Sequence, residues 1–134
     1  MIYAAPGTAD SVVPYHASID YYERVIAHFG GSLDQTRSFF QFYVVPGLAH
    51  GGGPGINQPP NILEAVRAWR ETGVAPTSLL GRHAEENGKG KTVWDMPLYP
   101  YPTRTGWNAQ TSSFEPVEGP RGGVERIAER FRVY

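Results

Sequence analysis

The 134-residue chain contains no cysteine and only two methionines. Without cysteine there is no disulfide and no thiolate metal site, which agrees with a reducing compartment but does not establish one. An excess of one charge is missing too. Twelve basic residues against 13 acidic leave a net charge of −1, so neither a nucleic-acid partner nor a membrane surface is expected. No apolar run approaches the roughly 20 residues that span a bilayer. The opening residues Met1-Ile2-Tyr3-Ala4-Ala5 lack the basic n-region and the apolar length of a signal peptide. They lead straight into Pro6-Gly7, so the chain is expected to begin inside a strand, as the C-terminal part of a longer protein. Internal repeats and low-complexity tracts are also absent, and the length fits one domain with a real core.

The stretch the rest is organised around runs from Val44 to Gly55. An apolar, aromatic run, Phe39-Phe40-Gln41-Phe42-Tyr43-Val44-Val45, stops at Pro46-Gly47, and His50 follows before Gly51-Gly52-Gly53-Pro54-Gly55. The run has the length and composition of a buried strand and Pro-Gly is a strong breaker. His50 therefore sits on a loop just past a strand's C-terminal end, where α/β sheets place working residues. The plainer reading of such a histidine is a surface residue or a helix-end partner.

Before this stretch, Ile2–Ala5 is a short strand candidate. Ile19, Tyr22, Val25, Ile26 and Phe29 recur at helical spacing from about Ala17 to Phe29, and Gly30-Gly31 stops that helix. After it, Asn61 with Glu64 suits a helix N-terminus. Ile62, Leu63, Val66 and Trp69 form one stripe, and Gly73 ends it. Ser78–His83 reads as a short strand. Lys91–Tyr101 reads as extended chain that its prolines confine to an edge or loop. Thr103–Gly123 is turn-rich, and Val124, Ile127, Ala128 and Phe131 suggest a final short amphipathic helix. Tyr21, Tyr22, Phe29, Phe39, Phe40 and Phe42 are read as core. Trp94, Tyr99, Tyr101 and Trp107 are read as cover for a sheet edge or as a pocket wall. His16, His28 and His83 are read as incidental, and no spacing of ligands suggests zinc.

Strand, helix, strand within the first 45 residues make a βαβ unit, whose strands should be parallel with a right-handed crossover. Parallel strands end on one edge of the sheet, about 4.8 Å apart. Asp10 lies five residues beyond Ala5, and His50 five beyond Val45, so both project from the same rim. An acid delivered beside a histidine can fix the imidazole tautomer and stabilise its charged form. An Asx-turn residue after Pro-Gly is the equal alternative for Asp10. If the two are a pair, a carboxylate oxygen should lie roughly 2.6–3.2 Å from the imidazole.

Four stretches resemble the tannase and feruloyl esterase family of α/β hydrolases. Pro6-Gly7-Thr8-Ala9-Asp10, with Val13-Pro14 and Ser18-Ile19-Asp20-Tyr21-Tyr22-Glu23-Arg24-Val25, looks like the family's acid loop and next helix. Phe42-Tyr43-Val44-Val45-Pro46-Gly47-Leu48-Ala49-His50 with Gly52-Gly53-Pro54-Gly55 looks like its histidine loop. Ile62 to Trp69 with Gly73-Val74-Ala75-Pro76 resembles the helix after it, and Pro97-Leu98-Tyr99-Pro100-Tyr101-Pro102 a late segment. The likeness covers roughly residues 2 to 116.

What the resemblance implies is the C-terminal part of an α/β-hydrolase fold: a parallel βαβ unit plus a helix and short extended segments, with the N-terminal half and lid absent. Residues 1–116 would be the catalytic-domain segment and 117–134 a tail. The family hydrolyses esters with a Ser–Asp–His triad, in which Asp10 matches the acid and His50 the base. No Gly-x-Ser-x-Gly occurs here, so the chain alone should be inactive. The implied substrate is a small phenolic ester of the gallate or ferulate type, and no cofactor is implied in this chain. The calcium some members bind belongs to the absent lid. The family is usually secreted or periplasmic, although the residues themselves assign no location. It also usually has cysteine after the histidine, where Gly51 stands, and cysteines near Tyr99 and Pro116; loss of disulfides would leave packing alone to hold the loops. The alternative is a non-catalytic binding or assembly domain that kept the fold. An unpaired strand edge predicts that the isolated chain self-associates or uses its tail as a cover.

Overall fold

The computed structural model describes residues 1–3, 7–53, 55–57 and 59–121. Helices and strands mix in its first half and strands dominate the second: β1 (Ile2–Tyr3), α1 (Tyr15–His28), α2 (Leu33–Arg37), β2 (Gln41–Phe42), α3 (Ile62–Thr72), β3 (Leu79–Ala84), β4 (Thr92–Leu98), β5 (Arg104–Asn108) and β6 (Ser113–Val117). β1 and β2 are parallel, with Ile2 facing Gln41 and Tyr3 facing Phe42. A further parallel bridge joins Gly7 to Val45. The parallel pair expected from the strand–helix–strand order is therefore present, and both ends that lead to Asp10 and His50 leave the same edge.

The strand expected over Phe39–Val45 is shorter than its composition suggests. Its first two residues lie in the turn that follows α2, where the amides of Phe39 and Phe40 both donate to the Thr36 carbonyl. Residues 4–6, which include the end of the strand expected over Ile2–Ala5, lie outside the described residues. α2 itself escaped the periodicity reading, since five residues make little more than one turn. Its start carries a cap all the same: Ser32 Oγ accepts from the Gln35 amide at 3.1 Å.

Side chains alternate along the run at residues 40–45 and feed two cores. Tyr43 and Val45 join Leu48, Ile56, Leu79 and Leu98 on one side. Phe40 and Phe42 join Ile19, Tyr22 and Ile26 of α1 and Tyr101 on the other. Tyr21, Phe29 and Phe39, expected in the core, are exposed instead. Tyr21 shows why: Ile19, Tyr22 and Ile26 occupy the buried stripe of α1, and position 21 lies off it. Tyr22 stacks on Phe42 at 5.1 Å between centroids, and its hydroxyl donates to the Phe40 carbonyl at 2.9 Å. Burial pushes that hydroxyl up to about 12. Tyr22→Phe strands a buried carbonyl, so we expect urea denaturation to show a loss of about 1–2 kcal/mol without a change in slope.

α3 starts after Asn61 and ends at Gly73 as the spacing predicts. Asn61, however, does not cap it. Its Oδ1 accepts from the Leu80 amide at 3.3 Å and ties the helix start to β3. Ile62 and Ala65 pack against the first core, whereas Leu63 is 77% exposed. The strand read at Ser78–His83 is β3, and it pairs antiparallel with β4, which the extended reading of Lys91–Tyr101 contains.

The turn-rich reading of Thr103–Gly123 is corrected by an antiparallel hairpin, β5–β6, in which Trp107 faces Phe114 at 5.0 Å. Its turn rests on Asn108, whose Oδ1 accepts from the amides of Gln110 and Thr111 and whose Nδ2 donates to Glu115. Turn residues were legible there, but the strands flanking them are only five residues each and carry Gly106 and Pro116. The final helix suggested from Val124 lies outside the described residues. Among the described residues no helix is long and apolar enough to cross a membrane.

Candidate functional site

Two loops leave the C-terminal ends of β1 and β2 and are laced together by the backbone. The Thr8 amide donates to the Val45 carbonyl and the Ala9 amide to the Leu48 carbonyl, both at 3.1 Å. In return the Gly47 amide donates to Thr8 Oγ1 at 2.9 Å. The approach is so close that a Cβ on Gly7 would stand 1.8 Å from the Leu48 carbonyl oxygen. Sequence reasoning missed Thr8 and Gly7 as positioning residues. The signal available was the Pro-Gly-Thr sequence opening the acid loop, read as a strand end and as part of the family's loop but not as a contact with the histidine loop.

His50 stands at the tip of a tight turn closed by reciprocal bonds between Ala49 and Gly52, at 2.6 and 3.2 Å. Gly51 takes φ +79° at the third position, a geometry that favours glycine. The rest of the loop folds back. The Gly55 amide donates to the Gly47 carbonyl and the Ile56 amide to the Pro46 carbonyl, each at 3.1 Å. His83, read as incidental, braces this return: its Nδ1 donates to the Gly55 carbonyl and its ring stacks on Trp94 at 5.2 Å. Asn57 does likewise, its Oδ1 accepting from the Ala84 amide at 2.8 Å. His16 and His28 take no part in the site.

Asp10 and His50 meet. Nδ1 of His50 lies 3.2 Å from Asp10 Oδ2, at the upper end of the expected range. The Asx-turn reading of Asp10 also holds, and it does not compete with the pairing. Oδ1 accepts from the amides of Val12 and Val13, each at 2.8 Å, which leaves Oδ2 for the imidazole. The Asp10 side chain is 9% exposed and that of His50 61%. The Val13 amide, then the Val12 amide and His50, hold the Asp10 carboxyl below the usual carboxylate range, against burial, which acts in the opposite direction. The carboxylate therefore binds Nδ1–H, and Nε2 is left as the basic nitrogen with no partner among the described residues. Neither residue lines the 220 Å³ cavity that opens beside Thr8 and Pro46.

A folded pKa below the unfolded one means that ionised Asp10 stabilises the fold above the ordinary aspartate range. That contribution is lost as pH falls through the folded value. We expect the Asp10 13Cγ resonance to titrate with a midpoint below 3.8, with the His50 contact persisting down to that point. A midpoint above 3.8 would mean that the two valine amides do not hold the carboxylate.

Among the described residues no group of three or more histidines, cysteines or carboxylates is placed to hold a metal ion. What the arrangement can do is move a proton at Nε2 of an oriented, water-accessible imidazole.

The tannase and feruloyl esterase family matches residues 1–118 of the chain. An uncharacterized esterase of Xanthomonas campestris pv. campestris is 32% identical, over 87% of this chain and 26% of its own length. Feruloyl esterase C of Talaromyces stipitatus is 29% identical, over 73% of this chain and 21% of its own. The crystal structure of an esterase from Aspergillus oryzae superposes with a TM-score of 0.72 at 22% identity, over 83% of this chain and 26% of that one, and shares its fold. The chain thus spans about a quarter of the length of these proteins. A family match over nearly the whole described chain, on the loops that carry Asp10 and His50, places the chain in the tannase and feruloyl esterase family of ester hydrolases.

Proposed function

We propose that this chain is the C-terminal part of a serine carboxylic-ester hydrolase and supplies the acid and base of its Ser–Asp–His triad. The observation that carries the reading is the divided carboxylate of Asp10, with Oδ1 held by two amides and Oδ2 on His50 Nδ1. In the serine-bearing protein, His50 Nε2 takes the serine proton as the hydroxyl attacks the ester carbonyl, then passes it to the leaving alcohol. Water repeats the cycle on the acyl-enzyme. Asp10 keeps the tautomer and offsets the charge of the imidazolium. Such a cycle needs no cofactor. The names of relatives, feruloyl esterase and tannase among them, support a phenolic ester as substrate. Residues 1–116 are the catalytic-domain segment in this reading and 117–134 a tail. The chain alone, without a Gly-x-Ser-x-Gly turn, is inactive. Its exposed Leu63, Val74 and Tyr21 then favour self-association when it is isolated.

The test compares the chain alone with the same chain joined to the polypeptide encoded immediately upstream. We expect the joined protein to hydrolyse methyl ferulate or methyl gallate and to lose activity to a serine-directed sulfonyl fluoride, while the chain alone does neither. A folded joined protein with a serine turn but no activity on any aryl ester would overturn the reading and favour the binding or assembly domain.

A further inference from the structure

A cavity of about 220 Å³ lies beside the paired loops, enclosed by α1, the run that continues β2, and the segment from Leu98 to Thr105. Tyr15, Ile19, Val44 and Leu98 give it largely apolar walls, and Arg104 and Thr103 are among the polar groups on its lining. Its size admits one aromatic ring, since an apolar cavity of about 150 Å³ already takes benzene. Apolar walls with a few converging polar groups are the usual make-up of a small-molecule site.

Arg104 sets this cavity apart. The other arginines in the described residues are mostly engaged: Arg24 with Asp20, Arg67 with Glu71, Arg82 with Asp95 and Arg121 with Glu23. Arg37 donates to the carbonyls of Pro100 and Tyr101. Arg70 stands exposed on α3. No carboxylate among the described residues pairs with Arg104, although it lines a cavity and is itself exposed. Arg104 is thus an exposed guanidinium without a carboxylate partner on the lining of a largely apolar cavity. A guanidinium so placed suits a carboxylate, which it can bind through two parallel hydrogen bonds, and it also attracts the face of an aromatic ring. The hydroxyls of Thr8 and Thr105 are already bonded to the Gly47 amide and the Pro97 carbonyl, so they help to shape the walls. Thr103 keeps a hydroxyl without a partner among the described residues.

We infer that this cavity binds a single aromatic ring bearing a carboxylate, with the ring between Ile19, Val44 and Leu98 and the carboxylate on Arg104. That the acid is a product of the same enzyme rests on the ester-hydrolase reading; the binding site itself does not. Thr8, at the cavity wall, also carries the hydrogen bond that laces the acid loop to the histidine loop, so the cavity and the scaffold of the Asp10–His50 pair share this residue.

The test titrates the 134-residue chain with benzoate, benzyl alcohol and acetate while following the methyl resonances of Ile19, Val44 and Leu98. Benzoate should give saturable shifts at these methyls and acetate should not. Arg104→Met should weaken benzoate by about ten-fold or more, the effect of losing a charge-assisted pair, and change benzyl alcohol by less than about two-fold. Thr103→Phe, which fills the cavity from a half-buried position, should abolish both, with the circular dichroism spectrum unchanged. Benzoate shifts confined to other residues, or an affinity indifferent to Arg104→Met, would overturn the inference. Because no hydrolysis is read, saturable benzoate binding stands even if the serine-bearing protein proves inactive, and absence of binding sinks the cavity while leaving the triad untouched.

Discussion

Gly7→Ala should destabilise the chain by about 3 kcal/mol, at the upper end of the cost of overpacking a close-fitted interior. The Cβ it adds would stand 1.8 Å from the Leu48 carbonyl oxygen and 2.5 Å from its carbon, and both of these are backbone atoms that no rotamer change can move aside. Relief requires the histidine loop to retreat from the acid loop. That retreat breaks the hydrogen bonds from Thr8 and Ala9 to Val45 and Leu48. Gly51→Ala is the matched control. Its φ of +79° disfavours a side chain, yet nothing lies within 4 Å of the added Cβ, so its cost is conformational alone, about 1–2 kcal/mol. Urea denaturation of the two variants separates close approach from backbone strain. If Gly7→Ala costs no more than Gly51→Ala, the tight lacing of the two loops is not what holds the site. The histidine resonances supply a second readout, because only the Gly7 change should move His50 away from Asp10.

The two loops were legible because their logic is local. Pro6-Gly7 and Pro46-Gly47 announce where two apolar runs stop, and parallel strands oblige their loops to share an edge. Matching the number of residues past each run put Asp10 and His50 on one rim but left the pairing and the Asx turn equally open, and the family resemblance favoured the pairing. What stayed hidden depends on partners distant in sequence. Thr8 looks like any loop threonine until Gly47 arrives opposite it, and His83 like any strand histidine until the Gly55 carbonyl reaches it. Asn61 had every local mark of a cap, but its Oδ1 accepts from the Leu80 amide, a partner 19 residues away that local sequence does not reveal. The hairpin β5–β6 was lost for another reason. Gly106 and Pro116 weigh against strand by propensity, whereas the Trp107–Phe114 pair and the Asn108 turn supply the pairing that propensity omits. Asp10 is the most instructive residue, since the two alternatives for it turned out to be the two oxygens of one carboxylate.

That division of the carboxylate makes the effect of Asp10→Asn specific. The amides of Val12 and Val13 both donate to Oδ1, so an asparagine there must place its carbonyl oxygen at that position. Its amide nitrogen then takes the place of Oδ2, 3.2 Å from His50 Nδ1, and donates where the carboxylate accepted. Nδ1 is forced to accept, and the ring proton moves to Nε2. In the proposed triad, the nitrogen that takes the serine proton is then already protonated. In a serine-protease triad the same change costs about 10⁴ in kcat, from the wrong tautomer alone. We expect a loss of that order for the serine-bearing protein on an aryl ester at neutral pH, with KM little changed, and a comparable loss for His50→Gln. The tautomer itself can be read on the present chain by 15N NMR, where Asp10→Asn should move the protonated resonance from Nδ1 to Nε2. Asp10→Ala differs in kind. It abandons the Asx turn as well, so it should loosen the loop and lower stability, whereas Asp10→Asn keeps the fold. A serine-bearing Asp10→Asn protein retaining kcat within about ten-fold of the parent would remove Asp10 from the mechanism and leave it a turn residue only.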